Sequence, residues 1–104
     1  MKHTLIVDSK VKKEIADWPR AVIFKVNGHL IFLRKEGYLP FPHGRKLTDK
    51  LYELRIRERG QWRLIYAYLD QQILVLVAFN KKKQKTPLDE LKKAKQRLRI
   101  YENS

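Results

Sequence analysis

Residues 51–79, LYELRIRERGQWRLIYAYLDQQILVLVAF, decide the fold of this chain. From residue 51 to 57 apolar and polar side chains alternate, which is typical of a strand with one buried face. A turn at Arg59-Gly60 leads to a second predicted strand at 62–68. A further turn at 70–72 leads to a third at 73–79, which is apolar on both faces and is therefore expected inside the sheet. Such short turns predict an antiparallel meander.

The residues before the meander predict a strand and helices. Residues 5–7 indicate a short strand, and Asp8 or Ser9 can cap a helix whose apolar positions recur at helical spacing. Those positions are Val11, Ile15 and Trp18. Pro19 then restarts the chain, as proline does in a first helical turn.

The segment 21–33 fits two structures. Four apolar residues recur at helical intervals, namely Val22, Val26, Leu30 and Leu33. Asn27-Gly28 between two apolar runs is equally typical of a hairpin. The residues alone leave both open, and Gly37 closes the segment in either case. Residues 37–46 contain two glycines and two prolines and are predicted to be loop.

The end of the chain predicts a final helix. Residues 81–85 form a basic connector, and Pro87 opens a helix with an apolar stripe. We expect the stripe to face inward and the basic residues, Arg97 among them, to lie mostly outward; the stripe consists of Leu88, Leu91, Ala94 and Leu98. The whole pattern predicts one α+β domain spanning residues 1–104.

Charge is the strongest compositional feature. Lysine and arginine number 24 against 11 acidic residues, a net charge of +13, whereas the hydrophobic fraction of 43% is ordinary. A surface this positive repels itself, and polyphosphate is the commonest partner that offsets the repulsion. An acidic protein or an anionic membrane surface could do the same. No stretch approaches the roughly 20 apolar residues of a spanning helix.

Other functions are disfavoured by what the sequence lacks. With no cysteine, disulfides, thiolate catalysis and most zinc sites are excluded, which suits the cytoplasm. The apolar run within residues 1–8 is too short for a signal peptide. The histidines, His3, His29 and His43, lack metal-ligand spacing, so we expect no metal site and no cofactor.

Two groups of arginines on the predicted strands are candidate anion ligands. Arg55 and Arg57 point to the same side of one strand, about 6.5–7 Å apart, close to the spacing of neighbouring phosphates. An ordinary solvated strand face is the alternative. Arg63 shares a face with Ile65 and Ala67 and therefore needs an anion. That anion is either a nucleic-acid phosphate or the carboxylate of Glu53 or Glu58.

The lysine run at 81–85 is the third candidate. Four lysines in five residues attract anions and lower one another's pKa, so that one could act as a general acid or base. The alternative is a solvated run that only aids solubility or RNA affinity.

Three motifs resemble the RelE/ParE toxin superfamily, and most closely its HigB-type, phage-derived branch. They are a Leu-Tyr-Glu-Leu-Arg strand at 51–55, Arg-x-x-Tyr at 63–66, and a lysine-rich segment ending in Thr-Pro at 81–87. The branch also has a lysine before the first strand, here Lys46, and an alanine and an arginine in the last helix, here Ala94 and Arg97. The match covers residues 4–101.

The resemblance implies a fold of two N-terminal helices on a small, mostly antiparallel sheet, with a C-terminal helix, and hence a helix over 21–33. It implies a type II toxin that cleaves messenger RNA on the ribosome and is neutralised by an antitoxin, often a helix-turn-helix protein. Arg55 and Arg57 match residues that hold RNA phosphate, and Arg63 matches one that stabilises the transition state. Lys81 and Lys82 match basic residues after the last central strand. RelE uses a C-terminal tyrosine with no clear equivalent here, since Tyr101 lies further on.

These roles suggest RNA cleavage by the ribose 2′-hydroxyl without a metal. Arg55 and Arg63 would stabilise the phosphorane-like transition state, and Lys82, alone or with Lys81, would transfer protons. The residues expected to position the RNA are Lys46, Arg57, Lys83 and Lys85. Two alternatives remain: a ParE-like poison of DNA gyrase, and a basic module that binds nucleic acid without cutting it.

Overall fold

The computed structural model describes residues 3–82 and 86–104 as one sheet with three helices. The strands are β1 (Thr4–Val7), β2 (Gly44–Lys46), β3 (Leu51–Arg57), β4 (Gln61–Leu69) and β5 (Gln72–Asn80). The helices are α1 (Ser9–Glu14), α2 (Arg20–Glu36) and α3 (Leu88–Glu102). The strand order is β1-β5-β4-β3-β2, and only the β1–β5 pair is parallel among the described strands. The predicted α+β fold with a mostly antiparallel sheet is confirmed.

The meander β3–β4–β5 forms as the alternation predicts. Arg55 pairs with Arg63 across β3 and β4, and Arg63 pairs with Phe79 across β4 and β5. The β4–β5 register shifts between Ile65 and Tyr66, which leaves Leu76 as an extra residue on β5. β5 lies between β1 and β4, which explains why it is apolar on both faces.

The sheet separates two hydrophobic clusters. One face packs against α1 and α2, and its buried members include Val11, Val22, Val26, Leu33, Leu54, Leu64, Tyr66 and Val75. The other face packs against α3, with Leu51, Ile65, Ala67, Leu74, Leu76, Val77, Phe79, Ala94 and Leu98. We call these the α2 face and the α3 face. Burial of both faces stabilises the three-layer arrangement.

Helix α2 is continuous, so the hairpin alternative for this segment is wrong. Its stripe Val22, Val26 and Leu33 is buried on the α2 face, and this tertiary burial overrides the local Asn27-Gly28 turn signal. Gly37 ends the helix with a φ of 86°, a left-handed conformation that glycine adopts without strain.

Helix α1 is shorter than the apolar spacing suggests. Asp8 caps it by accepting a hydrogen bond from the Lys10 backbone N–H at 2.8 Å, and the helix ends at Glu14. Ile15 and Trp18 lie beyond its end but still pack against the α2-face cluster.

Two sequence expectations need correction. The segment predicted to be loop contains strand β2, which pairs with β3 from Gly44 opposite Leu54 to Lys46 opposite Tyr52. Gly44 fits there because a Cβ would meet the Leu39 Cβ at 2.5 Å. Leu88 does not face inward but is 81% exposed, because it is the first residue of α3 and precedes the turns that contact the sheet.

Arg97 also differs from the expected outward position. It donates a hydrogen bond to the Leu76 carbonyl at 2.8 Å and pairs with Glu14 at 3.0 Å, which ties α3 to β5 and α1. Within residues 3–82 and 86–104, no helix is long and apolar enough to cross a membrane.

Candidate functional site

The α3 face changes character along strands β3 and β4. Near Leu51 and Ala67 it is apolar and lies in the cluster that includes Leu98 of α3. Four residues further along β3, Arg55 lies opposite Arg63. We call the first region the apolar end. The second, which we call the cationic end, comprises Arg45, Arg55, Arg57, Arg63 and Lys81 around the carboxylate of Glu53.

Glu53 and Arg63 form the buried base of the cationic end. The Arg63 Nε lies 3.6 Å from the Glu53 Oε1, and their side chains are 2% and 1% exposed. Thr86 donates its hydroxyl to the Glu53 Oε2 at 2.8 Å, which holds the start of α3 against the site. Of the two alternatives for the anion beside Arg63, the structure shows the salt bridge to Glu53, whereas Glu58 pairs with Lys25.

The Glu53–Arg63 pair does not satisfy every hydrogen-bonding atom of its two side chains. Arg63 donates to the Trp62 carbonyl at 3.0 Å and to the Gln61 side-chain oxygen at 2.7 Å. The facing atoms, Arg63 Nε and Glu53 Oε1, are both buried and make no hydrogen bond with any described residue. Burial lowers the pKa of Arg63, Glu53 opposes this, and the neighbouring arginines lower it further. The guanidinium is therefore held at an electrostatic cost.

Arg55 on β3 and Arg45 on the edge strand β2 lie beside the same carboxylate. The Arg55 Nε lies 3.9 Å from the Glu53 Oε1, and its side chain is 17% exposed. Arg45 is the β2 residue opposite Glu53, which puts it on the same face of the sheet, where it is exposed. A single carboxylate thus faces several guanidinium groups, and the excess positive charge is available to an anion.

Lys81, the first residue after β5, completes the cationic end. Its backbone N–H donates to the Gln61 carbonyl at 2.6 Å, which fixes the residue beside β4. Burial lowers the pKa of Lys81, and so do Arg63, Arg55 and Arg45, while Glu53 raises it. The lowered pKa expected for this run is present at Lys81, where burial is its largest cause and the strand arginines add to it.

The remaining residues of the predicted site, Lys82 and the four expected to position RNA, are placed differently. Arg57 is exposed opposite Gln61, two residues beyond Arg55 on the same face. Lys82 is exposed next to Lys81. Lys83 and Lys85 lie outside the described residues. Lys46 is exposed opposite Tyr52, which puts it on the α2 face and apart from Arg55.

Arg45 was missed because β2 was not predicted as a strand. Without that strand, no alternation indicates which of Arg45 and Lys46 shares a face with Arg55. Pairing of β2 with β3 was the missing information. Among the residues that the structure describes, no three histidine or acidic side chains come together as potential metal ligands.

This arrangement is suited to the chemistry of a phosphodiester. Arg45, Arg55 and Arg57 offer charge to phosphate oxygens, and arginine can bind two such oxygens at once. Lys81, with its lowered pKa, can lose its proton more easily than an ordinary lysine and so accept one from a hydroxyl. The site combines anion binding with a candidate proton acceptor.

Comparison with known proteins identifies the fold and family. The chain resembles an arginine double mutant of the E. coli toxin RelE in the free state, at 17% identity and a TM-score of 0.72, over 94% of this chain and 99% of that one. The same mutant bound to a peptide of the antitoxin RelBc matches at 19% identity and 0.63, over 80% and 86%. The toxin–antitoxin complex RelBE2 of Mycobacterium tuberculosis matches at 17% and 0.58, over 78% and 100%.

Sequence comparison gives the family directly. No curated protein matches the chain in sequence. The family model of the phage-derived Gp49-like proteins matches residues 13–99, which is most of the chain. The expected phage-derived branch and RelE-like fold are both confirmed. The chain therefore belongs to the Gp49-like family of phage-derived proteins and has the fold of the RelE toxins.

Proposed function

We propose that this protein is the toxin of a type II toxin–antitoxin system and that it cleaves messenger RNA on the ribosome. Its family, its RelE-like fold and the antitoxin complexes of two of its structural neighbours support the toxin role. The observation that carries the nuclease role is the grouping of Lys81 with Arg45, Arg55 and Arg63 around Glu53, where burial lowers the pKa of the lysine. The partner would be a cognate antitoxin with a helix-turn-helix, and the site of action the cytoplasm.

The proposed reaction is an internal transesterification of RNA. The ribose 2′-oxygen attacks the adjacent phosphorus, the bond from phosphorus to the 5′-oxygen breaks, and the products are a 2′,3′-cyclic phosphate and a 5′-hydroxyl. Lys81, when neutral, takes the proton of the 2′-hydroxyl, and Lys82 beside it supplies one to the leaving 5′-oxygen. Arg55 stabilises the negative charge that develops on the phosphate oxygens.

For Arg63 we propose a different role from the one that the resemblance implies, because its side chain is buried. A side chain that is 2% exposed and bonded to Gln61 and Trp62 does not contact an incoming phosphate in the described conformation. We assign Arg63 as a positioning residue: it holds Glu53, and its charge lowers the pKa of Lys81. Arg57 and the lysines at 83 and 85 would hold the flanking RNA, and Lys46 would act only on RNA that reaches the α2 face.

The test is addition of the purified protein to a translating cell-free extract, followed by mapping of messenger RNA 5′ ends by primer extension. We expect new ends inside the reading frame that require ribosomes and carry 5′-hydroxyls. Arg55→Gln should reduce their rate of formation by roughly 10²–10³-fold, the usual effect of losing one group that stabilises a developing oxyanion. Lys81→Met should abolish proton transfer while leaving the fold intact.

Lys35→Met is the matched control. Lys35 is an exposed lysine in the last turn of α2, and the neighbouring Arg34 contacts His3 at the start of β1, at the opposite end of the sheet from Lys81. This variant should cleave as the wild type does. Intact messenger RNA from demonstrably folded wild-type protein would refute the nuclease, and gyrase supercoiling would then be assayed.

A further inference from the structure

A second concave feature adjoins the cationic end. A pocket of about 380 Å³ is lined by Phe41, Pro42, His43, Arg55 and Arg57. The loop reaches the site because the Arg55 backbone N–H donates to the His43 carbonyl at 2.7 Å. One wall is therefore apolar and aromatic, and the other carries the two arginines that alternate along β3.

Phe41 is an exposed aromatic residue at this pocket. Its side chain is 76% exposed, although Leu39, two residues earlier, is buried in the α2-face cluster. A phenyl ring left in water beside two guanidinium groups is suited to a ligand that offers both a flat apolar face and negative charge. A nucleotide has both, since every base has a π-face and each phosphate is anionic.

We infer that this pocket holds one unpaired RNA base, stacked on Phe41, while Arg55 and Arg57 hold the phosphates on either side of its nucleotide. The two arginines are two residues apart on one strand face, a separation of about 6.5–7 Å, close to that of consecutive phosphates. A base in a duplex is already stacked and paired, so the pocket selects single-stranded RNA.

This inference rests on the proposed function, because it names the feature by which that site would choose where to cut. It is tested without cleavage. The probe is a 2′-O-methyl RNA trinucleotide, which lacks the attacking hydroxyl and stays intact. Binding to the pocket can therefore be measured whether or not the protein is a nuclease.

The first measurement uses Phe41→Trp as a fluorescent reporter of stacking. We expect the trinucleotide to quench the new tryptophan, with wild-type protein giving the background from Trp18 and Trp62. Phe24→Trp is the matched control, since Phe24 is equally exposed, at 80%, but lies on α2 and does not line this pocket. Its emission should not change.

The second measurement separates base from phosphate. Phe41→Ala should weaken trinucleotide binding roughly tenfold, the usual effect of losing one base–aromatic stack. A trinucleotide whose central sugar is abasic should bind wild type and Phe41→Ala equally. Phe41→Tyr should restore tight binding of the intact trinucleotide.

Several outcomes would overturn the inference. One is a fluorescence of Phe41→Trp that saturating RNA does not quench, and another is a wild type that binds no RNA. The third is a loss of affinity in Phe41→Ala that is equal for intact and abasic RNA. If messenger RNA is cut but Phe41→Ala changes neither affinity nor the cleavage positions, the base pocket fails and the nuclease stands. If the trinucleotide quenches Phe41→Trp but messenger RNA stays intact, the nuclease fails and the base pocket stands.

Discussion

The apolar end and the cationic end of the α3 face lie on the same strands, but the first packs against α3 and the second brings positive charges together. At the apolar end Leu51, Ala67 and Leu74 are buried in one cluster with Leu98 of α3. At the cationic end, four residues further along β3, Arg55 and Arg63 occupy equivalent pleat positions. Alternation along a strand determines which face a residue occupies, whereas the residue type determines whether that position stabilises the fold or binds a ligand.

The electrostatics of the two ends explain why both are needed. A buried charge destabilises a protein unless a partner compensates it, and Arg63 shows this by its lowered pKa. The pKa of Lys81, which is only partly buried, is lowered as well, with burial as the largest cause. The apolar end supplies the stability that lets the cationic end keep like charges together, and a bound polyphosphate would relieve their repulsion.

The largest expected effect on stability comes from breaking the buried pair at the cationic end. Glu53→Gln leaves Arg63 buried without its countercharge and should lower the free energy of unfolding by about 4 kcal/mol. Denaturant titration measures it. Glu102→Gln is the control, because its pair with Lys50 at 3.0 Å is largely exposed and should contribute less than about 1 kcal/mol. Equal losses in the two variants would contradict the buried-pair account.

Truncation at the apolar end should come next. Leu74→Ala opens a cavity in a fully buried cluster and should lower the free energy of unfolding by about 3 kcal/mol. Leu88→Ala, at an 81% exposed leucine of α3, should change it by about 0.5 kcal/mol or less. Similar losses at both leucines would mean that α3 is packed differently.

A smaller effect, of opposite sign, is expected on the far side of the molecule. Gly28 lies in the middle of α2, and a Cβ there would meet nothing within 4 Å. Gly28→Ala should raise the free energy of unfolding by about 1 kcal/mol, because alanine favours the helix. Cleavage should be unchanged. A lower unfolding temperature for Gly28→Ala than for the wild type would contradict this prediction.

The smallest expected effect concerns the pH dependence of Lys81. Its pKa is lowered in the folded chain below the ordinary 10.5, so the charged lysine destabilises the fold at neutral pH. As pH rises from the lowered pKa to 10.5, the unfolded chain binds more protons, and wild-type stability rises. Lys81→Met should therefore be more stable than the wild type at neutral pH. This difference in the free energy of unfolding should become smaller as the pH is raised. If the difference in stability between Lys81→Met and the wild type did not change with pH, the lowered pKa of Lys81 would be contradicted.

The periodic parts of this fold could be predicted from sequence. Alternation placed Arg55 and Arg57 on one face of β3 and Arg63 with Ile65 and Ala67 on one face of β4, and the 3.6-residue period predicted α3. Strand β2 could not be predicted, because three residues show no period and its position depends on the contact of Gly44 with Leu39. Without β2, the sequence could not predict that Arg45 lies on the α3 face and Lys46 on the α2 face.

Other features depend on tertiary contacts that local patterns do not carry. Asn27-Gly28 looks like a turn, but burial of Val22, Val26 and Leu33 makes it helix. The burial of Arg63 and the arginines that lower the pKa of Lys81 emerge only when strands and connector meet. The pocket beside Phe41 likewise needs the loop and β3 together.

The central claim is the division of labour between the two ends, and the most direct test is one paired measurement on Arg55→Gln and Leu74→Ala. Each preparation is assayed for its unfolding midpoint and for messenger RNA cleavage in the translating extract, at a temperature where both are folded. The account predicts that Arg55→Gln loses cleavage by roughly 10²–10³-fold with little change in midpoint, whereas Leu74→Ala loses midpoint and keeps cleavage. Cleavage by folded Arg55→Gln at the wild-type rate would contradict it.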